Sequence, residues 1–302
     1  MGCEITCMTT TPSIPKAAFW MALSIASFLG MTVAGRETTN VLNVFQVLEL
    51  RSVIGLLILL PLVMASGGFA AMMTGRPVLH LARNVVHYTG QAGWLYALTL
   101  IPLAQLVSIE FTTPIWTAIL AVMFLGEKLN VRKIIAIAFG MLGVLIIVRP
   151  GMGTIATGHL IVLCAAVSFG ISMVMVKSLT RTESVVRIIF WMLVIQSIIG
   201  LIPALQEWRN PPLALWPWIV AIAFTGMSSH FCLARALVYA DATIVSPMDF
   251  LRLPFTALVG WLIYSENVDM FTVAGAALIL LGNLVNLRRR TLKPEEAAAA
   301  AS

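Results

Sequence analysis

Residues 101–133 constrain this chain more than any other stretch. They read IPLAQLVSIEFTTPIWTAILAVMFLGEKLNVRK. From Ile101 to Gly126 nearly every side chain is apolar. At about 1.5 Å per residue, a helix of that length crosses a hydrocarbon core of about 30 Å. Only Glu110 and Pro114 stand out against the apolar background. An ionisable group and a helix breaker inside a membrane span both cost stability, so together they invite a functional reason. The stretch is also echoed in residues 240–271, ADATIVSPMDFLRLPFTALVGWLIYSENVDMF. Glu110-Phe111 falls on Asp249-Phe250, Glu127 on Glu266 at the same offset, and Pro114 on Pro254 with a one-residue slip. Two halves, each with an acid and a proline in mid-span, predict a duplicated membrane protein.

Only 11% of the 302 residues are charged and 60% are hydrophobic. Soluble domains average about 25% charged residues, so the chain reads as an all-α integral membrane protein. Hydropathy predicts ten transmembrane helices, at 17–35, 41–66, 78–100, 101–125, 134–148, 158–176, 185–205, 213–238, 243–264 and 271–287. The predicted layout is a cytoplasmic tail (1–16), a first five-helix repeat (17–150), a second (151–287) and a basic, then alanine-rich, tail (288–302). The start MGCEIT matches a myristoylation pattern through Gly2 and Thr6, a short and weak signal. The first apolar run has no small-x-small cleavage site, so no cleaved signal peptide is expected.

The net charge of +6 reflects membrane orientation rather than nucleic-acid binding. With the N-terminus inside, twelve Lys and Arg residues lie on the cytoplasmic side, and Arg36, Arg149 and Arg209 outside. Both termini are therefore expected to be cytoplasmic, in the inner membrane. The turn after the fourth span carries Lys128, Arg132 and Lys133, whereas its counterpart, residues 266–271, carries no basic residue. A five-span unit repeated in tandem must enter the membrane upside down the second time, and the lost charge fits that inversion. Trp208, Trp216 and Trp218 read as an interfacial belt.

Charges inside the spans must face the protein interior, because lipid penalises each by about 3 kcal/mol. They are Glu49, Arg51, Arg83, Glu110, Arg235, Asp249 and Arg252, with His87 and His230 in matching spans. Near span ends, Arg83 and Arg235 are equally read as snorkelling to the surface.

The chain resembles the drug/metabolite transporter superfamily, in particular its EamA-type bacterial members. The resemblance rests on the fourth span, with Ile101-Pro102-Leu103-Ala104, Pro114 and the ending Leu125-Gly126-Glu127, and on the two five-span repeats. The second copy departs from it, with Ser265-Glu266 for Gly-Glu and Asp241-Ala242-Thr243 for Pro-Leu-Ala. The resemblance implies alternating-access transport of small metabolites across the inner membrane, in either direction.

Glu110 and Asp249 are the first site candidates, because matched positions in inverted copies approach the central axis. Each is read as a substrate- or proton-binding group, or as a static partner of Arg51 or Arg252. Arg252, three residues after Asp249, either neutralises that acid or binds a substrate carboxylate. Glu49 and Arg51 are two apart, point to different faces and need partners elsewhere. His87 and His230 are candidate proton relays or satisfied interior histidines. Tyr88, Gln91, Trp94, Trp116 and Tyr239 are candidates for stacking on or bonding a substrate. Pro114 and Pro254 are expected to kink their helices. Gly140, Gly143, Gly275 and Gly282 read as close-packing positions, and Glu127 and Glu266 as capping or interface groups.

Interior charges of both signs favour zwitterionic or amphipathic cargo such as amino acids or nucleoside-like compounds, with protons as a candidate coupling ion. A channel-like facilitator is the alternative, although no ring of like charges or carbonyl filter motif is present. The four cysteines, Cys3, Cys7, Cys164 and Cys232, form no metal-binding spacing, and no nucleophile motif or phosphate loop occurs. No cofactor, metal or enzymatic activity is expected. The partners are then a small molecule and the bilayer, for a monomer or homodimer.

Overall fold

The structure is a computed structural model that describes residues 13–125, 131–149, 156–179, 182–239, 248–249 and 251–287. All regular structure among them is helical: α1 (Ile14–Thr39), α2 (Val44–Ala65), α3 (Pro77–Ala97), α4 (Leu103–Glu110), α5 (Thr113–Leu125), α6 (Val131–Val148), α7 (Thr157–Leu179), α8 (Val185–Gln206), α9 (Trp216–Tyr239), α10 (Arg252–Tyr264) and α11 (Met270–Leu287), with short 3₁₀ turns at Phe69–Met72 and Leu213–Leu215. The helix ends follow local chemistry. Asn43 and Ser184 accept from the backbone N–H groups of Gln46 and Arg187, the usual N-cap arrangement. After α2, Gly67 and Gly68 take positive φ, and the Gly68 N–H closes on Val63 O.

The fourth span corrects the expectation of one kinked helix. It is broken outright between α4 and α5, at Phe111 and Thr112. Pro114 sits in the first turn of α5, where its missing N–H costs least. Pro254 likewise opens α10 rather than kinking it. The backbone carbonyls freed by the break are satisfied locally and from afar. The Thr113 hydroxyl donates to Glu110 O at 2.7 Å, Thr112 to Ile109 O at 2.7 Å, and the Asn283 amide of α11 to Phe111 O at 2.8 Å. Such patching is what permits irregular backbone at membrane depth. Pro61 and Pro203 stand inside α2 and α8 near their C-terminal ends, an echo between the halves that sequence reading passed over.

The two halves clasp each other helix by helix. The pairs are α1 with α9, α3 with α7, α2 with α8, α4 with α10, and α6 with α11. Exchanging the halves turns the first pair into the second and leaves the other three unchanged, as a pseudo-twofold axis requires. Each of these pairs runs antiparallel. Along α1 and α9, Ser13 N meets Tyr239 O, Ser24 and Ser229 exchange hydroxyl–carbonyl bonds, and Gly35 faces Ile222. At the far end of α6 from Val131, Arg149 pairs with Asp269. Five crossings per half make every one of these pairings antiparallel only if the second half is inverted.

The outside of the bundle is apolar: Leu57, Ile202 and Leu262 are 60–70% exposed. The inside holds the polar groups, with Glu49, Arg83, Asn84, Gln91 and Gln196 buried. This arrangement suits a lipid solvent. By length and apolarity alone, five described helices suffice to cross a membrane, and shorter apolar helices accompany them. Trp208, Trp216 and Trp218 are half-exposed near the start of α9.

Candidate substrate site

Two polar clusters occupy the waist. In the first, the break after α4 leaves Glu110 at a helix end, free to turn inward. Its Oε1 accepts from Arg252 Nη2 at 3.1 Å and its Oε2 from Trp94 Nε1 at 2.7 Å. Asp249 Oδ2 lies 4.0 Å from the same Arg252 nitrogen. The two repeat-matched acids therefore converge on one guanidinium. Phe28 and Phe111 cover that guanidinium, their ring centroids 4.0 and 4.6 Å from its central carbon. Two acids and two aromatic rings thus surround the guanidinium, although its buried Nε finds no acceptor among the described residues.

The second cluster is built on α2. Glu49 is 5% exposed and points at Gly200 of α8, where its Oε2 has no donor. The Tyr88 hydroxyl, from α3, closes on the same glycine and is also unpartnered. Arg51 leaves α2 on another face and lies against Gly226 of α9, its Nε 3.1 Å from where a Cβ would stand. With its amide set by the surrounding donors, the Gln91 carbonyl accepts from both Arg51 Nη atoms at 3.2–3.3 Å and from His87 Nε2 at 3.3 Å. The Gln91 nitrogen then donates to Gln196 Oε1 at 2.8 Å. His87 stacks obliquely on Phe169, 5.5 Å between centroids. The exposed His230 ring nonetheless lies within electrostatic reach of Arg51, Arg83 and Arg252.

The remaining sequence candidates fall elsewhere. Trp116 bonds Thr112 at 3.1 Å and packs on Gly170 of α7. Arg83 is 7% exposed and bonded to Ser172 and Asn84, so it does not snorkel. Arg235 does lie at a helix end, with Tyr239 and Trp20. Tyr239 also receives Lys16 over its ring, 5.6 Å to the centroid. Glu127, Asp241 and most of the turn after the fourth span lie outside the described residues. Gln196, Gly200 and Gly226 were missed. A single amide within the apolar run of α8 was the available signal for Gln196. The glycines carried none, because their role is to leave room for side chains from other helices. Among the described residues no three His, Cys, Asp or Glu side chains gather to hold a metal.

Bonds close the bundle at both ends. At the Arg149 end, Glu266 pairs with Arg36 and accepts from Leu103 N at 2.8 Å, so it caps α4. Tyr264 bonds Glu37 at 3.1 Å, and His159 meets Gln105 at 2.9 Å. For Asp269, burial pushes the carboxyl up, but bonds from Thr272 and Arg149 outweigh it and hold it below the ordinary range. At the other end, Glu183 takes Thr74 and, at 2.5 Å, His80, while Arg187 and Trp191 bond the carbonyls of Ala71 and Met72. Burial pushes Glu183 up, and its bonds from Thr74 and His80 with the charges of His80 and Arg187 bring it down overall. A surface cleft of about 540 Å³ lies at the Arg149 end between Asn43, Tyr96, Pro203 and Glu207, and it touches neither charged cluster.

The family model for EamA-like transporters matches residues 15–149 and again 156–288. The chain belongs to the EamA-like transporter family. The double match coincides with the two halves that pair across the bundle. This EamA-like protein is 27% identical over 265 residues to an S-adenosylmethionine uptake transporter of Rickettsia felis, covering 88% of this chain and 90% of that one. It is 34% identical over 234 residues to a riboflavin transporter of Rhizobium johnstonii, covering 75% and 76%. It is 28% identical over 262 residues to a pseudopaline exporter of Pseudomonas aeruginosa, covering 86% and 91%. A solved crystal structure with 18% identity superposes with a TM-score of 0.58 over 91% of this chain and 97% of its own, a likeness of fold. The protein is thus a multi-pass membrane protein and a transporter of small metabolites rather than an enzyme.

Proposed function

We propose that this EamA-like protein is an alternating-access secondary transporter of amphipathic metabolites, in the class of amino acids and nucleoside-like compounds. The observation that carries the proposal is the antiparallel pairing of inverted halves around a charged waist. Inverted repeats place a site at mid-membrane and let one half rock against the other. The bonds at the Arg149 end and the Glu183 end are the contacts that would open in turn. In this reading the halves span residues 17–150 and 151–287, both termini are cytoplasmic, and the Arg149 end faces outward. The relatives named for S-adenosylmethionine and riboflavin supply the first cargo to try, since both compounds join a flat ring system to polar groups.

The test is flux into proteoliposomes holding the full chain, with S-adenosylmethionine, riboflavin and a panel of amino acids. The expected result is saturable uptake that accelerates when the same solute is present inside. Flux that rises linearly without saturating would make the protein a channel, and no flux of any solute would remove the transport reading. Protons are proposed as the coupling ion. An imposed pH gradient should then drive accumulation, and the Glu110→Gln/Asp249→Asn pair asks whether those acids carry the proton. Unchanged gradient dependence in that pair takes them out of the coupling.

A further inference from the structure

Two interior charges on α2 lack a partner of opposite sign among the described residues. Glu49 is buried with its Oε2 unbonded, and Tyr88, 4% exposed, has an unbonded hydroxyl facing the same Gly200. The Cβ that Gly200 lacks would lie 2.8 Å from the Glu49 oxygen and 2.7 Å from the Tyr88 oxygen. Among the described residues, Arg51 is bonded to the neutral carbonyl of Gln91 and to no acid. By contrast, Arg252 has two carboxylates in reach, Glu110 bonded at 3.1 Å and Asp249 at 4.0 Å, and Phe28 and Phe111 cover the guanidinium. The waist therefore contains one cluster in which acids and base pair and one in which Glu49 and Arg51 have no ion of opposite sign among the described residues.

The Glu49 and Arg51 subsites share the walls of α3 and α8. Tyr88 and Gln91 are three apart on α3, and Gln196 and Gly200 four apart on α8. Adjacent turns of the same two helices, α3 and α8, thus line both subsites, residues three or four apart on a helix being about 5–6 Å between Cβ atoms. Buried groups left unpaired are expensive, and a ligand that pairs them gains correspondingly. We propose that Glu49 and Arg51 are the two poles of a headgroup subsite, so that the cargo carries an α-ammonium and an α-carboxylate on one carbon. Glu49 and the Tyr88 hydroxyl take the ammonium side, and the planar fork of Arg51 takes the carboxylate, displacing Gln91. Gly200 and Gly226 keep the two subsites open, because a side chain on either would meet Glu49 and Tyr88 or Arg51. This assignment rests on the transport reading and names the cargo class for it.

The experiment is equilibrium binding to the full chain in lipid nanodiscs. Its probes are S-adenosylmethionine, the same molecule without its carboxylate, the same molecule without its amine, the L-amino acids and riboflavin. Removing either headgroup charge should weaken binding at least about tenfold. Glu49→Gln should weaken the intact compound at least about tenfold yet leave the deaminated compound within about twofold; Arg51→Gln should do the same for the intact and decarboxylated compounds. General damage to the fold would weaken all probes alike. If a variant fails to fold, the analogue series on the unaltered chain decides alone. Equal binding of the intact compound and both analogues overturns the proposal. So does riboflavin binding with no zwitterion bound, an outcome that leaves the transport reading standing. Absence of flux for every solute would instead remove that reading.

Discussion

A methyl group added at Gly143 tests how closely the two halves must approach. Gly143 of α6 and Gly275 of α11 face each other's backbones. A Cβ on Gly143 would lie 2.6 Å from Gly275 O and 2.6 Å from Ile279 Cγ1, and one on Gly275 would lie 2.6 Å from Gly143 O. Restoring ordinary contact needs the two helices to part by about 0.8 Å, and close-packed interiors resist such shifts. Overpacking costs about 1–3 kcal/mol, and a clash with backbone that cannot turn away falls in the upper part of that range, about 2–3 kcal/mol. Gly140 supplies the control, since a Cβ there meets the Ile115 side-chain tip, Cδ1. A side-chain tip can change rotamer for about 1 kcal/mol, whereas a carbonyl in a helix cannot turn away. Both substitutions to Ala gain the same helix propensity of about 1 kcal/mol, which cancels in the comparison. At roughly 2–4 °C per kcal/mol for a chain approaching this size, Gly143→Ala should melt about 2–8 °C below Gly140→Ala. The assay is thermal unfolding in one detergent at one scan rate, because membrane-protein melts are often irreversible. A Gly143→Ala protein that melts level with or above Gly140→Ala would show that the halves do not meet backbone to backbone.

Arg252→Met leaves Glu110 with Trp94 as its remaining donor and should cost about 3 kcal/mol, whereas Trp94→Phe removes one bond and should cost about 1–2 kcal/mol. The order of the two melting points checks this. Glu183 and Asp269 are held below their ordinary values in the fold. Their contribution is therefore present above the ordinary carboxylate range and lost as pH falls through it toward the folded values. Melting points should hold from pH 7 to about 5 and fall below that, and Glu183→Gln should fall less steeply. Val268 and Val131, both exposed, lie beside turns at opposite ends of the α6–α11 pair. Single cysteines there, in a background lacking the native thiols, should differ toward an impermeant maleimide on intact cells: Val268→Cys reacts and Val131→Cys does not. Labelling of both from one side would rule out an inverted second half.

Some of this protein was legible in its residues alone. Lipid offers no hydrogen bonds, so each apolar run must be helical, and the count of runs carried the class. The echo of Glu110-Phe111 in Asp249-Phe250, with the basic turn after span four and its uncharged counterpart, carried the duplication and its inversion. Glycines at 143 and 275 were read as packing positions, and they are where α6 and α11 touch. The break in the fourth span was less legible. Pro114 signalled an interruption, but whether it kinks or breaks the helix depends on who satisfies the freed carbonyls. One of those donors, Asn283, comes from α11, 172 residues away.

Which charges are spent and which are free was settled by the tertiary structure. On sequence, the matched acids Glu110 and Asp249 outranked Glu49, because repeat position was the available guide. In the fold both acids reach Arg252, while Glu49 and Arg51 face glycines on α8 and α9 and find no ion of opposite sign among the described residues. Hydropathy reports that a charge must be buried inside the bundle, since that depends on the residue and its neighbours along the chain. It cannot report the partner, since pairing is decided by which helices touch, at what register, and where a missing side chain leaves room.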